Sequence, residues 1–136
     1  MTDPNPITVH VTVDKSTSPW SLKVDGKRLD HQTSVPQNAL PQTILWDLQL
    51  TGGDTGSFDS PASSGFSWID GPSNTDIFKD LTEPSSTQIQ ISDWNTSAST
   101  TGDWSYKLCA TVNDTPCETN PPSAGSDPGD PTIKNN

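Results

Sequence analysis

The sequence predicts an all-β protein: a two-sheet antiparallel sandwich of immunoglobulin-like type with about seven short strands. Three observations carry this reading. Apolar residues alternate with polar ones in several separate runs, which is the period of a strand with one buried face. Thirteen prolines and nine glycines are spread along the whole chain and leave few stretches long enough for a helix. Ser and Thr supply 36 of the 136 residues while only 28% are hydrophobic, and Thr, Val, Ile and Trp suit the pleated, half-buried surface of a strand. The length fits one domain that can bury a core without disulfides or metals.

The first strand is the clearest, with Ile7, Val9, Val11 and Val13 alternating with Thr8, His10 and Thr12. Trp20, Leu22 and Val24 repeat the pattern and stop at Asp25-Gly26, a pair that tolerates positive φ and suits a tight turn. These two segments are expected to form a hairpin or to lie in facing sheets. After a polar, Pro-containing passage, Ile44, Trp46, Leu48 and Leu50 line one face and Leu45, Asp47 and Gln49 the other, until Thr51-Gly52-Gly53-Asp54 ends the run. Between residues 52 and 87 Phe58, Phe66, Trp68, Ile77, Phe78 and Leu81 stand among Gly, Pro, Ser and Asp, which gives short strands whose order and boundaries stay open. Ile89 and Ile91 alternate with Gln88, Gln90 and Ser92. Gly102 then opens the longest alternation, Trp104, Tyr106, Leu108, Ala110 and Val112, whose far face carries Ser105, Lys107, Cys109 and Thr111. Trp20, Trp46 and Trp104 fall in phase with buried faces and are expected in the core.

Residues 1–117 therefore read as the sandwich domain, and residues 118–129, rich in Pro, Gly, Ser and Asp, as a linker. Residues 130–136 read as a terminal edge strand of the same domain. Asp130-Pro131 disfavours helix and removes a backbone donor, which suits the start of an edge strand. Ile133 is the only large apolar side chain after Val112, so Thr132 to Lys134 are expected to dock with Ile133 inward. No internal repeat of fixed period is present.

The net charge is -10, with 15 Asp and two Glu against seven basic residues. Binding to a phosphate backbone needs a clustered Lys/Arg face, and Lys15, Lys23, Lys27, Arg28, Lys79, Lys107 and Lys134 are scattered except for one adjacent pair. Nucleic acid is therefore excluded as a partner, and an anionic membrane surface would repel the chain. No apolar run approaches the length of a transmembrane helix, and Met1-Thr2-Asp3-Pro4-Asn5-Pro6 lacks the regions of a signal peptide, so a cytoplasmic location is expected.

Candidate chemistry is sparse. Cys109 and Cys117 flank the turn-like Val112-Asn113-Asp114-Thr115, and a hairpin centred near Asn113 would set them opposite each other as a candidate disulfide. A reducing compartment would instead keep them as free thiols, and both readings stand. The only histidines, His10 and His31, match no zinc spacing with the two cysteines, and no loop carries the Asp-x-Asp-x-Asp-Gly ladder of a calcium site, so neither a metal nor another cofactor is expected. Glu83 and Glu118 lie beside or near prolines, and neither His stands in a nucleophile motif, so no catalytic residue is assigned and no enzymatic activity is expected. Asp93-Trp94-Asn95 sets an aromatic plate between hydrogen-bonding side chains, as sugar binding would use, and Trp68 is the other tryptophan not phased into a core; Trp94, Trp68, Asp93 and Asn95 are the candidate ligand contacts.

Four stretches carry a resemblance: Ile7-Thr8-Val9-His10-Val11-Thr12-Val13 followed by Pro19-Trp20-Ser21-Leu22, then Ile89-Gln90-Ile91-Ser92-Asp93-Trp94-Asn95-Thr96, then Trp104-Ser105-Tyr106-Lys107-Leu108, and the closing Asp130-Pro131-Thr132-Ile133-Lys134-Asn135-Asn136. Together they resemble the DP-EP family of small, functionally uncharacterised bacterial proteins. The resemblance implies a β-sandwich of bacterial origin and brings no activity and no site residues. The expected function is a non-enzymatic binding or assembly module that uses a sheet edge or loop tips for a protein partner or self-association. The alternative is a carbohydrate-binding module that uses exposed Trp beside Asp and Asn, which keeps a glycan among the partners.

Overall fold

Each legible run of alternation contains a strand, although Trp20 and Leu50 fall just outside theirs. The structure, a computed structural model, describes residues 6–16, 20–26, 31–59, 65–119 and 131–136. Among them are eleven strands: β1 (Ile7–Asp14), β2 (Ser21–Val24), β3 (Gln32–Val35), β4 (Gln42–Leu48), β5 (Gly56–Phe58), β6 (Phe66–Asp70), β7 (Phe78–Ser85), β8 (Gln88–Asp93), β9 (Gly102–Val112), β10 (Thr115–Thr119) and β11 (Thr132–Asn135). A single 3-10 turn, Ala98–Thr100, is the one helical element among the described residues. The described residues are all-β, as expected, with eleven strands rather than about seven. They form one mixed sheet ordered β3-β11-β9-β10-β2-β1-β4-β8-β7, with β5 and β6 also paired to β9. The pairs β1–β4, β10–β2 and β11–β3 are parallel, so the expectation of a purely antiparallel arrangement is corrected.

β9 is the axis of the fold. Its even-numbered backbone groups face one edge, where Leu108 N–H donates to Thr119 Oγ1 and Tyr106 N–H to the carbonyl of Pro131. Its odd-numbered groups face the other edge, where Asp59 N–H donates to the Cys109 carbonyl and Cys109 N–H to that of Gly65. Thus β10 and β11 lie end to end along one side of β9, and β5 and β6 end to end along the other. β2 and β3 follow the same division, since β2 pairs β10 and β3 pairs β11. Three neighbouring strands are therefore interrupted at one level while β9 runs through.

One core takes buried side chains from every strand but β7. Ile44 and Trp46 of β4, Ile89 of β8, and Tyr106, Leu108, Ala110 and Val112 of β9 are fully buried, as the alternation requires. Rings of Trp46, Phe66 and Tyr106 meet at centroid distances of 5.1 to 5.4 Å, joining β4 to β6 and β9. Two expectations about tryptophan need correction. Trp20 precedes β2 and Trp104 stands near the start of β9, and both are only partly buried. At a strand end the neighbours that would cover the ring run out. Trp20 lies beneath the Lys15 ammonium at 5.0 Å, and Trp104 is edge-on to Phe78 at 5.4 Å.

Turns follow their residue chemistry. Asn113 and Asp114 both take positive φ, 51° and 62°, which closes a two-residue hairpin between β9 and β10. Asp25 and Gly26 also have positive φ, and β1 and β2 pair antiparallel, the first of the two expected arrangements. Asp25 accepts from His10 N–H through Oδ1 and contacts His31 Nε2 through Oδ2 at 3.1 Å, which braces the connection toward β3.

The C-terminal segment docks with Ile133 fully buried, as predicted, but not as an edge strand: β11 lies between β3 and β9. The domain boundary also shifts, since Glu118 and Thr119 belong to β10 and pair with β2. The rest of the expected linker, residues 120–129, lies outside the described residues.

Candidate functional site

The residues singled out as candidate ligand contacts divide into two groups. Asp93, in phase with Ile89 and Ile91, points inward at the end of β8 and is fully buried; Asn95 is fully buried two residues on. Together with Thr100 and Asn135 they form a polar cluster behind the C-terminal strand. Asn135 Nδ2 donates to Asp93 Oδ1 and to the Thr100 carbonyl, both at 2.9 Å. Thr100 Oγ1 donates to Asn95 Oδ1 at 2.9 Å, and Asn95 Nδ2 donates to the carbonyls of Val35 and Asn136 at 2.9 and 3.1 Å. The cluster ties β8 to the ends of β3 and β11, and Asn135 is its centre. Two acceptors in it are buried with no donor, Asp93 Oδ2 and Asn135 Oδ1. Burial pushes the Asp93 carboxyl up to about 7 against the opposing pull of the Asn135 hydrogen bond.

The two tryptophans are elsewhere. Trp68 is packed between Phe66, edge-on at 5.1 Å, and Phe78 at 4.8 Å. Trp94 is partly buried with the Lys79 ammonium 5.3 Å from its ring centre, and its Nε1 is buried without a partner. The structure does not bring Trp68, Trp94, Asp93 and Asn95 together as one surface, because Asp93 and Asn95 are consumed inside the fold.

The expected opposition of the cysteines fails by one residue. Cys117 lies opposite Ala110, and Cys109 opposite Glu118, so alternation sends the two side chains to opposite faces. Both are free thiols, and the candidate disulfide is not formed. Burial raises both thiols, Cys109 to about 11. A cleft of about 240 Å³ opens beside them, bounded by Trp20, Asp59, Cys109, Pro116, Cys117 and Glu118.

The strands at the two ends of the β3-to-β7 order differ in kind, and β5 and β6, each paired to β9 alone, leave outer edges too: Phe58 N–H of β5 donates to the Ser86 carbonyl, and β6 carries a register shift and Asp70. β7 is blunted: its register against β8 shifts twice, Asp80 has φ 59°, and Pro84, Lys79 and Glu83 interrupt or charge it. β3 is short, regular in register with β11, and uncharged. Thr132 N–H donates to the His31 carbonyl and Asn136 N–H to that of Val35, so the odd-numbered residues of β3 turn their backbone groups to β11. Those of Gln32 and Ser34 therefore face outward, both side chains are exposed, and among the described residues no strand pairs with this edge. The composition of Gln32-Thr33-Ser34-Val35 carries no apolar alternation strong enough to mark it as a strand from sequence.

No family model matches this chain, and no curated protein sequence matches it. No helix among the described residues is long and apolar enough to cross a membrane.

Proposed function

We propose that this chain is a non-enzymatic β-sandwich module of the immunoglobulin-like kind, cytoplasmic, that binds an extended segment of a partner protein along the outer edge of β3. The observation that carries the reading is the contrast between the regular, uncharged edge of β3 and the irregular or charged edges of β7 and β6. An unpaired edge is a template for another chain, and proteins usually blunt it with charge, proline and bulges. Those devices are present on β7 and missing from β3. An added strand would take up the outward N–H and C=O groups of Gln32 and Ser34, so main-chain bonds would supply affinity. The change of partners along β9, from β5 and β10 to β6 and β11, supports the sandwich description.

Ser34→Pro is the discriminating variant. It removes an outward donor while sparing the bonds of Thr33 and Val35 to β11. A photo-crosslinking residue at Gln32 should capture a protein partner, and Ser34→Pro should abolish capture while leaving the melting temperature within a few degrees of the parent. Partner binding unchanged by Ser34→Pro would overturn the reading, as would a specific glycan ligand lost on Trp94→Ala.

A further inference from the structure

We infer that Asp93 and Asn135 form a reciprocal carboxylic acid–amide pair, one proton of which locks β11 into its slot between β3 and β9. The geometry points to it directly. Asn135 Nδ2 already donates to one oxygen of Asp93, and the unsatisfied atoms of the cluster are the remaining oxygen of each partner. Two orphaned buried acceptors on one hydrogen-bonded pair lack a single donor between them. A neutral Asp93 supplies it, with Oδ2–H donating to Asn135 Oδ1, and both side chains are then satisfied. Losing that proton to solvent leaves a buried carboxylate facing an amide oxygen, a costly arrangement that moving β11 away relieves.

No charged side chain competes for this role among the described residues, and the main-chain oxygen of Asn136, the last residue of the sequence, is taken up by Asn95 Nδ2 at 3.1 Å. Directly across from Asp93 lie Gln42 on β4 and Phe78 on β7, and the Thr100 carbonyl and Asn135 complete its surroundings. The charged side chains of the elements around it are placed otherwise. Lys79 lies over the Trp94 ring, Asp47 is opposite Gln88 at the far end of β8, and Asp103 pairs in register with Lys134, one residue out of phase with Asn135. Asp80 and Glu83 of β7 are exposed. The upward shift of Asp93 accordingly stems from burial and not from a like charge.

The consequence for binding rests on the reading of β3 as a partner edge: release of β11 would free the inner edge of β3 and one side of β9. The lock is therefore a control on how much edge the module offers.

Amide exchange on the free chain tests the lock without any partner. The amides of Thr132 and Asn136, which bond to β3, should open about tenfold more often per pH unit between about pH 4 and 7, after correction for intrinsic exchange, and level off above. Asp93→Asn keeps an acceptor for Asn135 Nδ2 and offers a permanent donor to Asn135 Oδ1, so its β11 protection should not vary with pH. Carboxyl NMR of the unaltered chain should show Asp93 titrating near neutrality. Titration in the ordinary carboxylate range, or an Asp93→Asn variant as pH-dependent as the parent, would overturn the lock. A lock that holds while Ser34→Pro leaves partner capture intact would sink only the edge reading.

Discussion

The indole Nε1–H of Trp46 donates to the hydroxyl of Tyr106 at 3.0 Å, and both residues are fully buried. This bond joins β4 to β9 across the core and gives the only polar atom of each ring a partner. Tyr106→Phe should leave the indole N–H buried and unpaired and cost about 1 to 3 kcal/mol, with Trp46→Ala costing about 3 to 5 kcal/mol through lost packing. Urea unfolding of the two variants checks the order; equal stability of parent and Tyr106→Phe would show that the bond is absent in solution.

Two carboxyls pull the stability profile in opposite directions. Burial raises Asp93, so its contribution is complete below the ordinary carboxylate range and is lost as pH rises to about 7. Over that window the loss is on the order of 4 kcal/mol at about 1.4 kcal/mol per unit. Asp54 is lowered by its hydrogen bonds from Lys15 and Asn113, so its contribution is lost as pH falls through its depressed value. Unfolding free energy should therefore be higher at pH 5 than at pH 7.5, and Asp93→Asn should flatten that difference.

The end-to-end placement of β10 and β11 makes another prediction. Thr119 sits beside Leu108 and Pro131 beside Tyr106, so one residue opposite Lys107 would complete a single strand along β9. Replacing residues 120–130 by one or two residues should leave the fold intact, with melting within a few degrees of the parent and Ile133 still protected. A truncated chain that fails to fold would show that the two strands do not follow one another along this edge.

The thiols should be quiet. Cys109 and Cys117 face opposite ways and are buried, so a native chain should react slowly with a thiol reagent at pH 7, release two thiols on unfolding, and melt at the same temperature with or without reductant. Burst labelling of either cysteine in the folded chain would contradict this.

How far the sequence foretold this depends on which contacts are local. The strand phases of β1, β4, β8 and β9 were legible because each is a run of alternation long enough to identify its own buried face. The breaks along β9 were not, since they depend on where distant segments pair. Trp20 and Trp104 were misread because phase says which way a ring points and not whether a neighbour covers it. Asp93 and Asn95 looked like solvent-facing partners for a ligand. Their burial depends on Asn135, 42 residues beyond Asp93, although Asp93 in phase with Ile91 and Asn135 in phase with Ile133 were signals available in the chain. The cysteine register was missed by one residue because the turn is centred between Asn113 and Asp114.

Amide exchange along β3 tests the proposed edge most directly. In the free chain at pH 5, the amides of Thr33 and Val35 should exchange slowly, because they face β11, while those of Gln32 and Ser34 should exchange at rates close to an unstructured peptide. Slow exchange at both Gln32 and Ser34 in the absence of any partner would mean that the edge is already covered, and that β3 is not where this protein receives another chain.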